Sequence, residues 1–113
     1  MRKTKISLVR EACAALGKTE DDIAEALEKR RIKGELWSLD ENPIAIYLKR
    51  KFKFIEYIEV DLYTIVIKVR RDDGKMDVHQ IDNYNAVTAF LDNFNAWSYP
   101  KLEKESERNA EPA

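Results

Sequence analysis

The chain has 113 residues, 44% of them apolar and 36% charged, with 20 basic against 21 acidic side chains. That length fits one domain with one core and needs no metal or disulfide staple, and the balanced charge excludes a protein that is basic throughout, although a locally basic face can hide inside a balanced total. Cys13 is the only cysteine, which excludes an intrachain disulfide framework and fits a reducing compartment, so a cytoplasmic location is expected.

Met1 to Lys5 is basic, but the moderately apolar stretch behind it is broken by Arg10 and Glu11 and ends before Lys18. Neither a signal peptide nor a membrane span is expected there. Ile6, Val9, Cys13 and Leu16 are spaced three, four and three apart, which predicts a first helix, with Gly17 as its left-handed C-terminal residue. Thr19 is the expected cap of a second helix over Glu20 to Arg31. Acidic residues stand in its first turn and Lys29, Arg30 and Arg31 in its last, each where the helix dipole favours that sign. Its thin face of Ile23, Ala24, Ala26 and Leu27 packs on the first helix as a helical hairpin, and Gly34 is read as the stop.

Leu36, Trp37 and Leu39, in the connection from Glu35 to Glu41, are too apolar for a free loop and are expected to tuck against the core. Asn42 followed by Pro43 reads as N-cap and first residue of a third helix ending near Lys51, with Ile44, Tyr47 and Leu48 inward. The texture then becomes β-branched and aromatic. Ile55 to Val60 and the alternating Tyr63, Ile65, Ile67 and Val69 predict two strands with a break near Asp61-Leu62. Asp72-Asp73-Gly74-Lys75 predicts the reversal into a third strand, facing inward with either Met76, Val78 and Gln80 or Asp77, His79 and Ile81. Asp82 or Asn83 is the expected cap of a last helix that covers the sheet with Tyr84, Val87, Phe90, Leu91, Phe94 and Trp97. Pro100 ends it, and Lys101 to Ala113 reads as a disordered charged tail. The fold class is therefore α+β: an N-terminal helical hairpin, a third helix, a three-stranded antiparallel meander and a closing C-terminal helix, forming a single domain over residues 1–100.

The segments K-G-E-L-W-S-L-D-E-N-P-I-A-I-Y-L-K and F-L-D-N-F-N-A-W-S-Y-P-K-L resemble a group of small bacterial and phage-borne proteins. In that group a glycine-containing turn leads into a C-P-I-A-x-Y-L helix, and the closing helix ends in a Tyr-Pro-x-Leu pattern. The likeness covers about Asp22 to Leu102. Asn42 stands here where that pattern usually has cysteine, and Asn95-Ala96 where a glycine is usual, so the resemblance implies no shared redox or metal-binding cysteine. It carries no activity with it.

Lys29, Arg30, Arg31 and Lys33 from the second helix and Lys49, Arg50, Lys51 and Lys53 from the third could converge into a phosphate-contacting face. Both clusters also occupy helix C-termini, where the dipole alone attracts cations. The order of three helices and a hairpin, with Arg70 and Arg71 at the hairpin turn, would suit a winged helix-turn-helix. Two features stand against it. The link from Ile32 to Asn42 is longer than the usual turn of roughly 3–4 residues, and the would-be recognition helix begins with proline and apolar residues where base-reading side chains belong. His79 has no second histidine or paired cysteine to make a zinc set, Cys13 reads as a packing residue, and three glycines leave no phosphate-cradling loop. Glu56 with Glu59, or Asp72 with Asp73, need no acid and base role. No catalytic residue, metal or cofactor is expected. Most aromatic side chains belong to the core, while Trp97, Tyr99 and Leu102 at the end of the last helix are the expected contact with a protein partner or a second copy. The sequence favours a small accessory or adaptor protein acting by protein–protein interaction; a nucleic-acid-binding regulator using the basic face is the alternative.

Overall fold

The structure, a computed structural model, describes residues 4–104 and contains the expected α+β order. The elements are α1 (Lys5–Leu16), α2 (Glu20–Lys29), α3 (Pro43–Lys51), β1 (Ile55–Val60), β2 (Thr64–Arg70), β3 (Met76–Asp82) and α4 (Asn85–Asn95), with a short 3-10 turn at Pro100–Leu102. Three helices begin on a side-chain cap. Thr4 accepts the Ser7 N–H at 3.1 Å, Thr19 the Asp22 N–H at 3.2 Å and Asn42 the Ala45 N–H at 2.9 Å, each satisfying an amide that has no partner within its helix. Pro43 follows Asn42 at the first helical position, where its missing N–H costs nothing.

The fourth helix starts differently from the expectation. Its N-cap is Tyr84, without a side-chain cap bond. Asp82 is still paired in β3, opposite Thr64, and Asn83 is committed to the strand ends: its backbone N–H donates to Tyr63 O and its Nδ2 to Asp61 O, both at 2.8 Å.

The sheet is a three-stranded antiparallel meander in the order β1-β2-β3. Period-two alternation in β2 buries Ile65, Ile67 and Val69. They lie opposite Val60, Ile58 and Ile55 of β1 and opposite Ile81, His79 and Asp77 of β3. This settles which face of β3 is inward, since Met76, Val78 and Gln80 are exposed. Tyr63 does not join the alternation. The Oδ1 of Asp61 accepts the N–H groups of Tyr63 and Thr64 at 2.9 and 2.8 Å, closing a side-chain turn that leaves Tyr63 in solvent. Burial works against the ionised Asp61, but the bonds from Thr64 and Tyr63 outweigh it and hold the carboxyl below its usual range.

The core gathers Val9, Leu16, Ile23, Leu27, Ile44, Leu48, Phe90 and Phe94 with the inner face of the sheet. By backbone proximity α4 lies closest to α2, while α3 runs beside β1 and α1 beside β3. Val87, Phe90, Leu91 and Phe94 of α4 share one core cluster with Ile58, Ile65 and Ile67 of the sheet, and the Thr88 hydroxyl donates to Leu62 O at 2.6 Å. Cys13 is buried in this core, and burial pushes its thiol up to about 11, as expected of a packing residue.

All three segment ends assigned from glycine and proline differ in detail. Gly17 has φ +154° and ψ 165°, outside the left-handed helical region. A Cβ there would stand 2.5 Å from Asp22 Cβ, so the glycine serves close approach between α1 and α2. The second helix stops before Gly34, with Arg31 itself at φ +57°. The Arg31 N–H donates to Glu28 O at 2.9 Å and the Ile32 N–H to Leu27 O at 3.1 Å, a Schellman closure in which buried Ile32 returns to buried Leu27. Gly34 lies further on, where its N–H donates to Leu102 O at 2.8 Å and its carbonyl accepts the Lys104 N–H at 3.1 Å. A Cβ on Gly34 would meet Glu41 O and the Pro43 Cδ and N, all at 2.6 Å. The chain past Pro100 is therefore part of the fold, with Leu102 only 2% exposed. Lys101 to Lys104, expected as the start of a charged tail, thus belong to the fold, and the rest of that expectation, residues 105–113, lies outside the described residues.

Candidate functional site

The fold brings the basic ends of α2 and α3 together. Arg30, Ile32, Tyr47, Arg50 and Lys51 line an open depression of about 240 Å³. Ile32 also lines a second depression of about 560 Å³, with Arg31, Lys33, Lys101, Glu28 and Pro100 around it. Arg30 is held in place: its guanidinium carbon lies 5.5 Å from the Tyr47 ring centre and its Nη1 donates to Ala26 O at 2.9 Å. Tyr47 is buried beneath it, its hydroxyl donating to Ala12 O at 3.2 Å; burial raises the phenol above its ordinary range despite the nearby Arg30 charge. The Lys51 Nζ stands 6.0 Å from the Phe52 ring centre. Arg30, Arg31, Arg50 and Lys51 form no ion pair among the described residues.

Two other expected members of the basic face stand apart. Lys49 points to the loop before its own helix, 3.9 Å from a Glu41 oxygen that also lies 3.6 Å from Lys104. Lys53 is exposed and lines neither depression. The winged-helix arrangement does not form. Pro43 to Leu48, the first six residues of the would-be recognition helix, are all buried, and the hairpin arginines are neutralised. Arg70 pairs with Glu56 at 3.0 Å, and Arg71 with Asp73 at 2.9 Å and Asp77 at 3.6 Å.

The residues expected to meet a protein partner also separate. Leu102 is core. Tyr99 packs its ring 5.2 Å from that of Phe90, and its hydroxyl lies 2.9 Å from Glu20 Oε2 and 3.1 Å from Asp21 Oδ1, donating its one proton between them. Burial and the two carboxylates push this phenol far above its ordinary value. Asn93 Nδ2 donates to the same Glu20 oxygen. Trp97 alone of the three is largely exposed, at 58%. The fourth helix ends at Asn95, so Trp97 leaves its apolar face. The Trp97 N–H donates to Phe94 O at 3.1 Å and the Ser98 N–H to Asn93 O at 2.9 Å, which places Trp97, with φ +65°, in the left-handed position that glycine usually fills.

A second exposed tryptophan was not foreseen. Trp37 is 70% exposed and Leu39 45%, correcting the expectation that this connection buries them. Its backbone is tied down and its side chains are thereby turned out. Asn42 is the hub, its Nδ2 donating to Ser38 O at 2.8 Å and to Val60 O at 2.9 Å while its Oδ1 caps α3. The Val60 N–H donates to Leu39 O at 2.7 Å and the Trp37 N–H to Asn95 Oδ1 at 2.8 Å. Trp37 has φ +60°. Together with Val60, Leu62 and Leu91, Trp37 and Leu39 line an apolar depression of about 170 Å³ beside the end of α4. The sequence carried one weak signal of this: a tryptophan in a connection with no periodic apolar partner to pull it inward.

Among the described residues, no group of three His, Cys, Asp or Glu side chains could hold a metal ion, and no helix is long and apolar enough to cross a membrane. Compared with protein-family models, curated proteins and solved structures, the chain gives no match.

Proposed function

We propose that this chain is a small cytoplasmic accessory or adaptor protein with no chemistry of its own, which binds another protein through an aromatic corner: exposed Trp37 and Leu39, which line one apolar depression, and exposed Trp97, two residues beyond the Asn95 side chain that accepts the Trp37 N–H. The observation that carries this reading is backbone strain beneath exposed aromatics. Of the three non-glycine residues with positive φ among the described residues, two are these tryptophans. A bulky side chain in that region costs about 1 kcal/mol or more, and largely exposed rings recover little of that by burial. Folding stability therefore does not account for them. Tryptophan presented rigidly beside an apolar depression is the chemistry of an interface anchor, and the Asn42 and Asn95 bonds fix the backbone in advance, which lowers the ordering cost of binding.

The test is a capture comparison from the source cell, using the full chain, Trp37→Ser, Trp97→Gly and the remote pair Arg50→Gln/Lys51→Gln. The reading expects one protein retained by the full chain and the remote pair and lost with either tryptophan variant. Sedimentation of the purified chain shows whether that partner is a second copy. Retention by both tryptophan variants would sink the proposal.

A further inference from the structure

Four cations at the ends of α2 and α3 that form no ion pair among the described residues make a surface that the aromatic corner does not explain. We infer that this surface, centred on Arg30, Arg31, Arg50 and Lys51, binds the phosphate backbone of duplex nucleic acid without reading its sequence. The inference rests on observations independent of the tryptophans.

Convergence comes first. The cations reach one region from three parts of the chain: the end of α2, the end of α3 and the Pro100–Leu102 turn, which brings Lys101 beside Arg31 and Lys33. A charge run that is only a solvated helix end has no need of a second and third element. Charge balance is the next observation. Acidic residues outnumber basic ones by one across the chain, and Lys29, Lys49, Arg70, Arg71, Lys101 and Lys104 all sit near carboxylates. Arg30, Arg31, Arg50 and Lys51 form no such pair among the described residues, although Glu28 is close enough to line the same depression as Arg31. Glu28 is taken by Lys101 at 3.7 Å. Local positive charge is thus left in place inside a neutral protein.

The shape selects the ligand. Two open depressions share Ile32, so the basic surface is a strip and suits an extended polyanion better than one small anion. Arg30, held between Tyr47 and Ala26 O, offers a pre-ordered guanidinium for a phosphate. Tyr47, the aromatic ring among the residues lining the two depressions, is buried under Arg30, and Phe52, half-buried beside Lys51, lines neither depression, so the strip lacks the stacking platform that single-strand binders use. The helices that build the strip contribute their C-terminal ends, not the N-terminal residues with which a recognition helix reads base edges in the major groove. What remains is contact with backbone phosphates.

The experiment is fluorescence anisotropy of a labelled mixed-sequence duplex titrated with the full chain over a series of salt concentrations. Four phosphate contacts predict a slope of log K against log salt of about −3 to −4, and affinity independent of sequence. Arg50→Gln/Lys51→Gln, at side chains that accept and donate no hydrogen bond needed by the fold, should keep the unfolding midpoint and make the slope shallower by about 2. Four results would overturn the inference: no binding at low salt, an unchanged slope in the double variant, tighter binding of a single-stranded oligonucleotide of equal charge, or displacement of the duplex by polyglutamate at equal charge concentration. The last would make an acidic protein segment the ligand.

Discussion

At the C-terminus of α2, Arg31 takes the left-handed position and Ile32 folds back over Leu27; at the C-terminus of α4, Trp97 takes that position and Ser98 closes the last turn. Neither helix uses the glycine that makes this motif inexpensive. The two ends nevertheless differ in what stability can explain. A cation beside a helix C-terminus interacts favourably with the dipole, and Ile32 is buried in the core, so the strain at Arg31 is partly offset where it arises. Trp97 brings no charge and is mostly in solvent. A residue that stability favours says little about function. One that stability opposes says more, and by that measure the aromatic corner is the better evidence of a binding role, while the basic strip needs its unpaired charge and its convergence to make the same case.

The largest expected effect removes the distinction between the two ends. Gly34→Ala places a Cβ against Glu41 O and Pro43, next to the bonds that hold Leu102 and Lys104. Backbone atoms cannot swing aside, so urea unfolding should show a loss of roughly 3 kcal/mol, and both binding activities should fall together. Asn42→Ala acts mainly on the aromatic side, since Asn42 holds the Trp37 connection directly but meets the basic strip only through the far end of α3. It leaves the carbonyls of Ser38 and Val60 and the Ala45 N–H without their partner, at a cost of roughly 2 kcal/mol in urea unfolding. Partner capture should weaken while duplex binding at low temperature persists. Asn42→Cys, which installs the residue usual in the resembling group, should lose about as much, because a thiol cannot replace an amide that donates twice and accepts once.

Alkaline pH acts on the core beneath both ends. Cys13 has its folded value raised from 9.0 to about 11 by burial, so its contribution is fully present below pH 9.0 and is lost as pH rises toward 11. At about 1.4 kcal/mol per unit, stability should fall by roughly 2 kcal/mol over that window. Tyr47, also raised, adds with the same sign. Cys13→Ala should flatten part of this alkaline limb in a pH series of unfolding midpoints. The smallest effect belongs to Lys49. Its pairing with Glu41 is half exposed, and Lys49→Gln should change stability by less than about 0.5 kcal/mol and leave the salt slope of duplex binding unaltered.

Local chemistry made much of this legible. Thr19, Asn42 and Pro43 announced two helix starts, and the alternation of Ile65, Ile67 and Val69 announced the central strand, because capping and pleating depend on neighbours in sequence. The failures are places where a distant partner decides. Asn83 looked like a cap and was claimed by Asp61 and Tyr63. Gly34 looked like a helix stop and is the bare backbone against which Leu102 and Pro43 close. Leu102 read as tail because its burial depends on that glycine, some seventy residues earlier. The candidate sites divide in the same way: sequence located the cations at helix ends, but only the packing of α2 near α3 separated Arg30, Arg50 and Lys51 from Lys49. Trp37 was assigned inward by composition, and its backbone bonds turned it out.

The central claim is that Trp97 is kept against the interest of the fold. Trp97→Gly tests it in one protein, by measuring the urea unfolding midpoint beside partner capture. Relief of the left-handed strain should outweigh the entropy glycine adds to the unfolded chain and raise stability by roughly 0.5 to 1 kcal/mol, while capture of the partner is lost. A fall in stability, or capture that survives the substitution, would contradict the account.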